Sequence, residues 1–384
     1  MKIEKRDDTY QLERFSKTQA EFDQYYEYDL QPIAEKLEGE RLKTISLAKE
    51  QAKKLIIPGL VALAMIVFFE GISFFVMAAL AAYGAYLFKN VYEQRKKMRV
   101  KIKEKLVTAL IQFLNPNFTY KPKSYVHRNQ FIKSNIFKND PDRYSGDDLI
   151  KGFVGHDDVD AYGNKGTKTE LSFSEIKAEK VDKYQGRNGK LRTRVTTIFQ
   201  GMIFIVDFNK DFEGLTTVVP KQQGLKISLP SFLSGEKGRR LEEVVLEDLE
   251  FMDKFTVRTT DQIKARYILT PGFMRRLYEF ATKKREVQPQ KNTKKPETFM
   301  EAVEIGFNIS DNKGGLSQED GNATYFSFRD GKMYFLLSTG KEHFESSLLK
   351  PINKNLVQEY YEDINKSLEL VDELNLNLRI WSKE

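Results

Sequence analysis

Polar and apolar positions divide this chain into four stretches. Residues 1–54 are highly polar, and the first apolar block is internal. It reads LIIPGLVALAMIVFF from Leu55 to Phe69, breaks at Glu70 and Gly71, and continues as ISFFVMAALAAYGAYLF from Ile72 to Phe88. One unbroken helix of that length would measure roughly 50 Å, against about 30 Å for a hydrocarbon core, so the pattern predicts two adjoining arms folded back on each other. Glu70 and Gly71 are the expected crease, because glycine permits a tight reversal and a carboxylate is costly at mid-membrane. Each arm is about 23 to 26 Å long, short enough that flanking lysines must snorkel, and the same length suits a hairpin dipping into one leaflet. Gly59, Ala62, Ala78, Ala81, Ala82 and Ala85 allow two backbones to approach closely.

Helical spacing continues on both sides of the block. Leu30, Ile33, Leu37, Thr44, Ile45, Ala48 and Ala52 recur on one stripe before it, with Pro32 suited to a first turn. Val91, Met98, Ile102, Leu106, Ala109, Leu110 and Phe113 form a second stripe after it, until Pro116 stops the run. The two stripes are expected to pack antiparallel as a stalk. Phe15, Phe22, Tyr25 and Tyr26 mark a further helix at its base.

From Pro116 the period shortens to that of strands. Leu171 and Phe173 alternate with polar residues, and a phase slip between Glu175 and Ala178 predicts a bulge. Arg187-Asn188-Gly189 reads as the turn into a second strand, Arg194 to Phe208, whose continuous apolar run from Met202 predicts a central position covered on both faces. Leu215 to Val219 and Leu225 to Leu229 are shorter strands. Thr270, Pro271 and the Leu269–Met274 pair mark a capped helix. Asp330-Gly331 predicts a hairpin between Thr324–Phe328 and Lys332–Leu337, and an amphipathic helix from Ile352 to Leu374 precedes a closing strand ending at Trp381. Recurring hairpins without βαβ alternation predict an α+β fold with a predominantly antiparallel sheet. The expected divisions are a cytoplasmic amino-terminal helical segment (1–54), a transmembrane helical hairpin (55–88), a basic stalk helix (89–115) and a cytoplasmic α+β domain (116–384) with a polar loop near 283–297.

Charge placement adds orientation. The formal charge of +7 is modest for 384 residues, but it concentrates beside the apolar block. Lys53, Lys54, Lys89, Arg95, Lys96, Lys97 and Arg99 are the membrane-interface candidates. Basic residues at both ends of the hairpin predict that both termini and the large domain face the cytoplasm, as in a multi-pass protein of a bacterial inner membrane with an anionic inner leaflet as partner. The polar start of the chain gives no expectation of a secretory leader. Small residues in the arms make self-association an option, and a protein partner is expected. Nucleic acid is disfavoured because the basic residues do not merge into one face with interleaved aromatics.

No reaction is legible. With no cysteine, thiolate chemistry and disulfides are excluded, and the only histidines are His127, His156 and His343. His156-Asp157-Asp158 with Asp160 and Asn164 lacks the glycine and terminal glutamate of a calcium loop and reads as a surface turn. Asp207, Asp211, Glu247, Asp248 and Glu250 have the chemistry of acid–base pairs but nothing that predicts proximity. Arg187, Arg192 and Arg194 are weak anion-binding candidates. No catalytic residue, metal centre or cofactor is expected. The reading is a membrane-anchored binding or scaffold module, with an unfamiliar membrane-tethered enzyme as the alternative.

Two runs carry a family resemblance. GMIFIVDFNKDFEGLTTVVP, from Gly201 to Pro220, and LEDLEFMDKFTVRTTDQIKARYILTPGFMRRL, from Leu246 to Leu277, resemble the best-marked stretches of a bacterial family known as a domain of unknown function, number three-one-three-seven. YSGDDLIKGFVG from Tyr144 and LSFSEIKAEKV from Leu171 are similar to its opening stretch, so the resemblance spans about residues 100 to 350, departing at His156 to Lys168. It implies an amino-terminal pair of membrane helices and no established activity; envelope maintenance or stress is the expected setting.

Overall fold

The computed structural model describes residues 17–68, 73–154, 168–185, 189–207, 212–221, 241–282, 323–339, 344, 347–348 and 350–373. The first element is α1, Gln19–Tyr25, opened by a capping box: Thr18 Oγ1 accepts from the Glu21 amide while the Glu21 carboxylate accepts from the Thr18 amide. Its Phe22 is buried and stacks on Tyr361 with ring centroids 4.4 Å apart, so this segment belongs to the core, as its aromatic residues predict. A π-helical turn, Tyr26–Leu30, leads into α2, Gln31–Phe68, which contains Pro58. Helix α3, Ser73–Ile102, follows, then a second π-helical turn, Lys103–Val107, and α4, Thr108–Leu114, which ends just before Pro116.

α2 and α3 pack antiparallel. Lys101 Nζ lies 2.7 Å from Glu40 Oε2, and Gly84 faces Leu55, where an added Cβ would sit 3.9 Å from Leu55 Cδ1. The partner number falls along α3 as it rises along α2. Leu30, Leu37 and Ala48 of one stripe and Val91, Met98, Ile102, Leu106 and Leu110 of the other are buried. Further along the same pair the pattern inverts. Ile57, Leu60, Leu63, Phe74, Phe75 and Tyr86 are between 60% and 76% exposed, and Ala62 is the one buried side chain among the described residues from 51 to 65 and from 74 to 90. Among the described residues one helix is long and apolar enough to cross a membrane, the run Phe74–Leu114, whose best stretch has a mean hydropathy of 1.4 and is 6% buried. The expected crease, Glu70 and Gly71, lies outside the described residues.

Among the described residues nine strands form one antiparallel sheet: β1, Thr119–Lys121; β2, Arg143–Val154; β3, Thr169–Gln185; β4, Leu191–Asp207; β5, Leu215–Pro220; β6, Glu242–Glu243; β7, Phe255–Thr259; β8, Thr324–Arg329; and β9, Lys332–Ser338. Their order is β1-β2-β3-β4-β9-β8-β5-β7-β6. β4 is interior and covered on both faces, as its unbroken apolar run requires. Met202, Phe204 and Val206 join the core shared with the amino-terminal helices; Ile203 and Ile205 join the opposite one, with Phe131 of helix α5, Arg128–Lys133. The Asp330-Gly331 hairpin is present, both residues at positive φ (49° and 72°) as a type I′ turn demands. The remaining helices are α6, Leu249–Lys254; α7, Gln262–Ile268; α8, Pro271–Thr282; and α9, Lys354–Glu373. Leu269 and Met274 are buried at the start of α8 as a staple would place them, and α9 buries Val357, Tyr361, Ile364 and Leu368.

One expectation needs correction. β3 carries no bulge at Glu175–Ala178. Its apolar residues change faces, Leu171 and Phe173 toward the amino-terminal helices, Ile176 and Ala178 toward α5. The extra residues sit in its neighbours: β2 has one between Asp147 and Ile150, and β4 has one where Ala178 and Glu179 pair with Phe199 and Thr197. The stalk, too, is no free column, because its lower half shares the main core with the sheet. The loop near 283–297, the strand at Leu225–Leu229, the His156 turn and the closing strand before Trp381 lie outside the described residues.

β3 and β4 outrun the rest of the sheet. The last pair with β2 is Arg143 with Glu179, and the last with β9 is Ser338 with Gly201; beyond them the two strands pair only with each other, as far as Gln185 with Leu191. Gly189, at φ +73°, serves the turn.

The centre of the sheet supplies a stability test. Phe204 is fully buried and stacks on Phe173 at 4.9 Å and Phe335 at 4.2 Å. Phe204→Ala is expected to lower the unfolding free energy by about 3–5 kcal/mol, measured by denaturant titration.

Candidate functional site

The bulge in β2 builds a buried charge cluster where the helix pair meets the sheet. The additional residue puts Asp148 at φ 58°, a left-handed conformation that aspartate tolerates better than most side chains. Its backbone is satisfied by neighbours rather than by the ladder: the Asp148 amide donates to Pro122 O at 3.3 Å and the Leu149 amide to Ser124 O at 3.0 Å. Two consecutive carboxylates therefore reach the helices. Lys103, which opens the second π-helical turn and is 5% exposed, meets both, its Nζ 2.7 Å from Asp147 Oδ2 and 2.8 Å from Asp148 Oδ2. The Tyr120 hydroxyl donates to the other oxygen of Asp148. Glu175, paired with Asp147 across the strands and buried, completes the group, with carboxylate oxygens of the three acids within 4.8 Å of one another.

One ammonium thus bridges two carboxylates, with a third beside them. Burial dominates Asp148 and pushes its carboxyl up to about 7; Lys103 and the Tyr120 hydrogen bond pull the other way, while Asp147 adds repulsion. Three carboxylates at this spacing have the donor chemistry of a hard-cation site, but Lys103 occupies the position a metal would take. The arrangement is a buried ion-pair lock between helix and sheet, with one carboxyl raised by its burial.

The residues singled out from sequence lie elsewhere. Lys53, Lys89, Lys96 and Lys97 are exposed, and Lys54, also exposed, pairs with Glu50 at 3.1 Å. Arg99 is half-buried. Arg95 is only 4% exposed and sits inside the helix pair, so it is no part of the lysine-bearing surface. Beside it a groove of 330 Å³ lies between α2 and α3, lined by Lys43, Thr44, Lys97 and Met98 among others. Arg192 and Arg194 are exposed on the free part of β4; Arg187 lies outside the described residues. The candidate acids are not brought together: Asp248 caps α6 through the Phe251 amide at 3.0 Å, Glu250 pairs with Arg275 at 2.8 Å, and Asp211 is outside the described residues. His127 caps α5, accepting from the Asn129 amide, while His156 and His343 are outside the description. The cluster escaped the sequence reading although a signal existed, since the phase slip at Glu175 marks a carboxylate at a core-facing position.

The family model described as a protein of unknown function (DUF3137) matches residues 197–290 and 315–376. The matched part begins within β4 and runs to three residues past the end of α9, leaving out the helix pair, β1 to β3 and the charge cluster. No curated protein and no solved structure matches the chain.

The lock predicts an unusual pH response. A carboxyl raised above its unfolded value binds a proton more tightly in the folded state, so stability falls as pH rises from about 4 and levels off above about 7. Unfolding titrations between pH 5 and pH 8 are expected to show this decline, and Asp148→Asn to flatten it. Lys103→Met, which leaves the acids without a counter-charge, is expected to cost about 3 kcal/mol at pH 8 and less at pH 5.

Proposed function

We propose that this chain, whose carboxyl-terminal region belongs to that family of unknown function, is a membrane-anchored cytoplasmic module that binds a protein or ligand partner beside an anionic leaflet. The observation that carries the reading is the exposed apolar sleeve on α2 and α3. A soluble helix of this hydropathy would be covered, whereas here the best stretch is 6% buried and Ile57, Leu60, Phe74 and Phe75 face outward. Each such side chain left in water forgoes about 1.5–3 kcal/mol of burial, so the sleeve calls for another solvent.

Both arms enter the lipid in this reading, as a two-span hairpin. The helical parts from Leu55 to Phe68 and from Ser73 to Phe88 are about 21 and 24 Å long, and exposed Lys53, Lys54 and Lys89 stand together at their open end. Lysines on the side of the large domain support a cytoplasmic orientation for both termini, as in a bacterial inner membrane. A tethered enzyme is the second reading, favoured by the three grouped acids and the raised Asp148 carboxyl among them. Lys103 at the centre of that cluster favours the binding module.

Carbonate washing is expected to leave the intact protein in the membrane fraction, and removal of residues 55–88 to release a folded soluble protein. Recovery of the intact chain in the supernatant would overturn the anchor; irreversible aggregation of the shortened chain would show the arms to be part of the core.

A further inference from the structure

The direction of the free β3–β4 ribbon follows from two contacts between helices and sheet. Lys103 meets Asp147 at 2.7 Å, and Asn115 Nδ2 donates to Phe153 O at 3.3 Å. From Lys103 to Asn115 the helices climb about 18 Å, and from Asp147 to Phe153 β2 climbs about 20 Å. β2 therefore runs nearly parallel to α3 and α4, away from the apolar arms. β3 is antiparallel to β2 and so runs back toward the arms.

Reach decides where the ribbon ends. Arg143, opposite Glu179, lies about 13 Å nearer the arms than Asp147, and from Glu179 to Gln185 the ribbon adds about 20 Å. Lys89, at the open end of the arms, is only about 21 Å from Lys103 along α3. Even tilted by about 45° through the twist of the sheet, the ribbon tip comes level with Lys89.

The tip has the chemistry of a lipid headgroup contact. Lys183, Lys190, Arg192 and Arg194 are exposed there, and none is held in an ion pair among the described residues. Tyr184, 47% exposed, lies across from Arg192, and Leu191 is 80% exposed beside the turn. Against one acid, the exposed Asp182 opposite Arg194, four cations surround one aromatic and one aliphatic side chain among the described residues of the tip, which matches a surface that is phosphate outside and acyl chain beneath.

We propose that the tip of the β3–β4 ribbon is a second membrane contact, seated in the headgroup layer of the same anionic leaflet that the helical arms enter. Lys183, Lys190, Arg192 and Arg194 meet lipid phosphates, while Tyr184 and Leu191 enter the boundary below them. The inference rests on the membrane-anchor reading and adds to it. Two attachment points on one surface hold the sheet domain at a fixed orientation to the bilayer, where a hairpin alone would let it swivel.

The chain lacks cysteine, so single labels can be introduced into the full-length protein. An environment-sensitive fluorophore is attached at Leu191→Cys, at Tyr86→Cys in the arm, or at Ile263→Cys. Ile263 is exposed on α7 just past Thr259, which pairs with Thr216 at the far end of the sheet. Each protein is reconstituted into vesicles of phosphatidylcholine and phosphatidylglycerol containing a headgroup spin-labelled lipid. Quenching at position 191 is expected to exceed that at 263 several-fold, and to fall to the level of 263 when Lys183, Arg192 and Arg194 are all changed to Glu. Quenching at 86 and none at 191 would overturn the ribbon contact and leave the anchor standing. No quenching at 86 would overturn the anchor and the ribbon proposal with it. A shift at 191 produced by added duplex DNA but not by vesicles would make the ribbon a nucleic-acid contact and overturn the proposal.

Discussion

An ammonium group withdrawn from water has to find its counter-charges where it is buried, and Lys103 finds them on the one strand that departs from regular pairing. That requirement fixes one join between the helix pair and the sheet, beside the apolar core the two share. The π-helical turn brings the lysine inward, the β2 bulge turns two successive carboxylates outward from the sheet, and Glu175 arrives by ordinary strand pairing. Without the bulge, Asp147 and Asp148 would point to opposite faces, as neighbours on a strand do. The irregularity is thus the price of a specific join, and it sets the angle at which the helix pair leaves the domain.

Along that pair the surface of the same helices changes character. Near the sheet, Met98, Ile102 and Leu106 bury against protein; beyond the lysines, large apolar side chains face away from everything the chain itself provides. A hydrophobic stripe satisfied by a partner helix needs polar residues on its back, and α2 and α3 lose those past Lys54 and before Lys89. The change in surface chemistry, more than the length of the helices, is what divides the stalk from the proposed anchor.

Much of the architecture was legible because periodic burial leaves a periodic trace. The helical stripes, the doubly covered β4, the Asp330-Gly331 turn and the staple at Leu269 and Met274 each involve neighbours close in sequence, so local chemistry announces them. The charge cluster joins residues 103, 120, 147, 148 and 175, and no local pattern encodes such a meeting. Its one trace, a carboxylate where an apolar residue was due, reads equally well as a bulge in the wrong strand. Arg95 shows the opposite failure: in sequence it is one more cation of a basic run, and only the facing helix turns it inward.

Pro58 inside α2 has an effect on hydration. Its ring nitrogen has no hydrogen to give, so the carbonyl oxygen of Lys54, one turn earlier, loses its helical donor. That oxygen stands at the level of the flanking lysines, where the anchor proposed above places interfacial water to bind it. The same proline one or two turns deeper would strand a bare carbonyl in hydrocarbon, where nothing can solvate it. In the proposed anchor the defect falls at the waterline, which is where the arm can tolerate its imino acid.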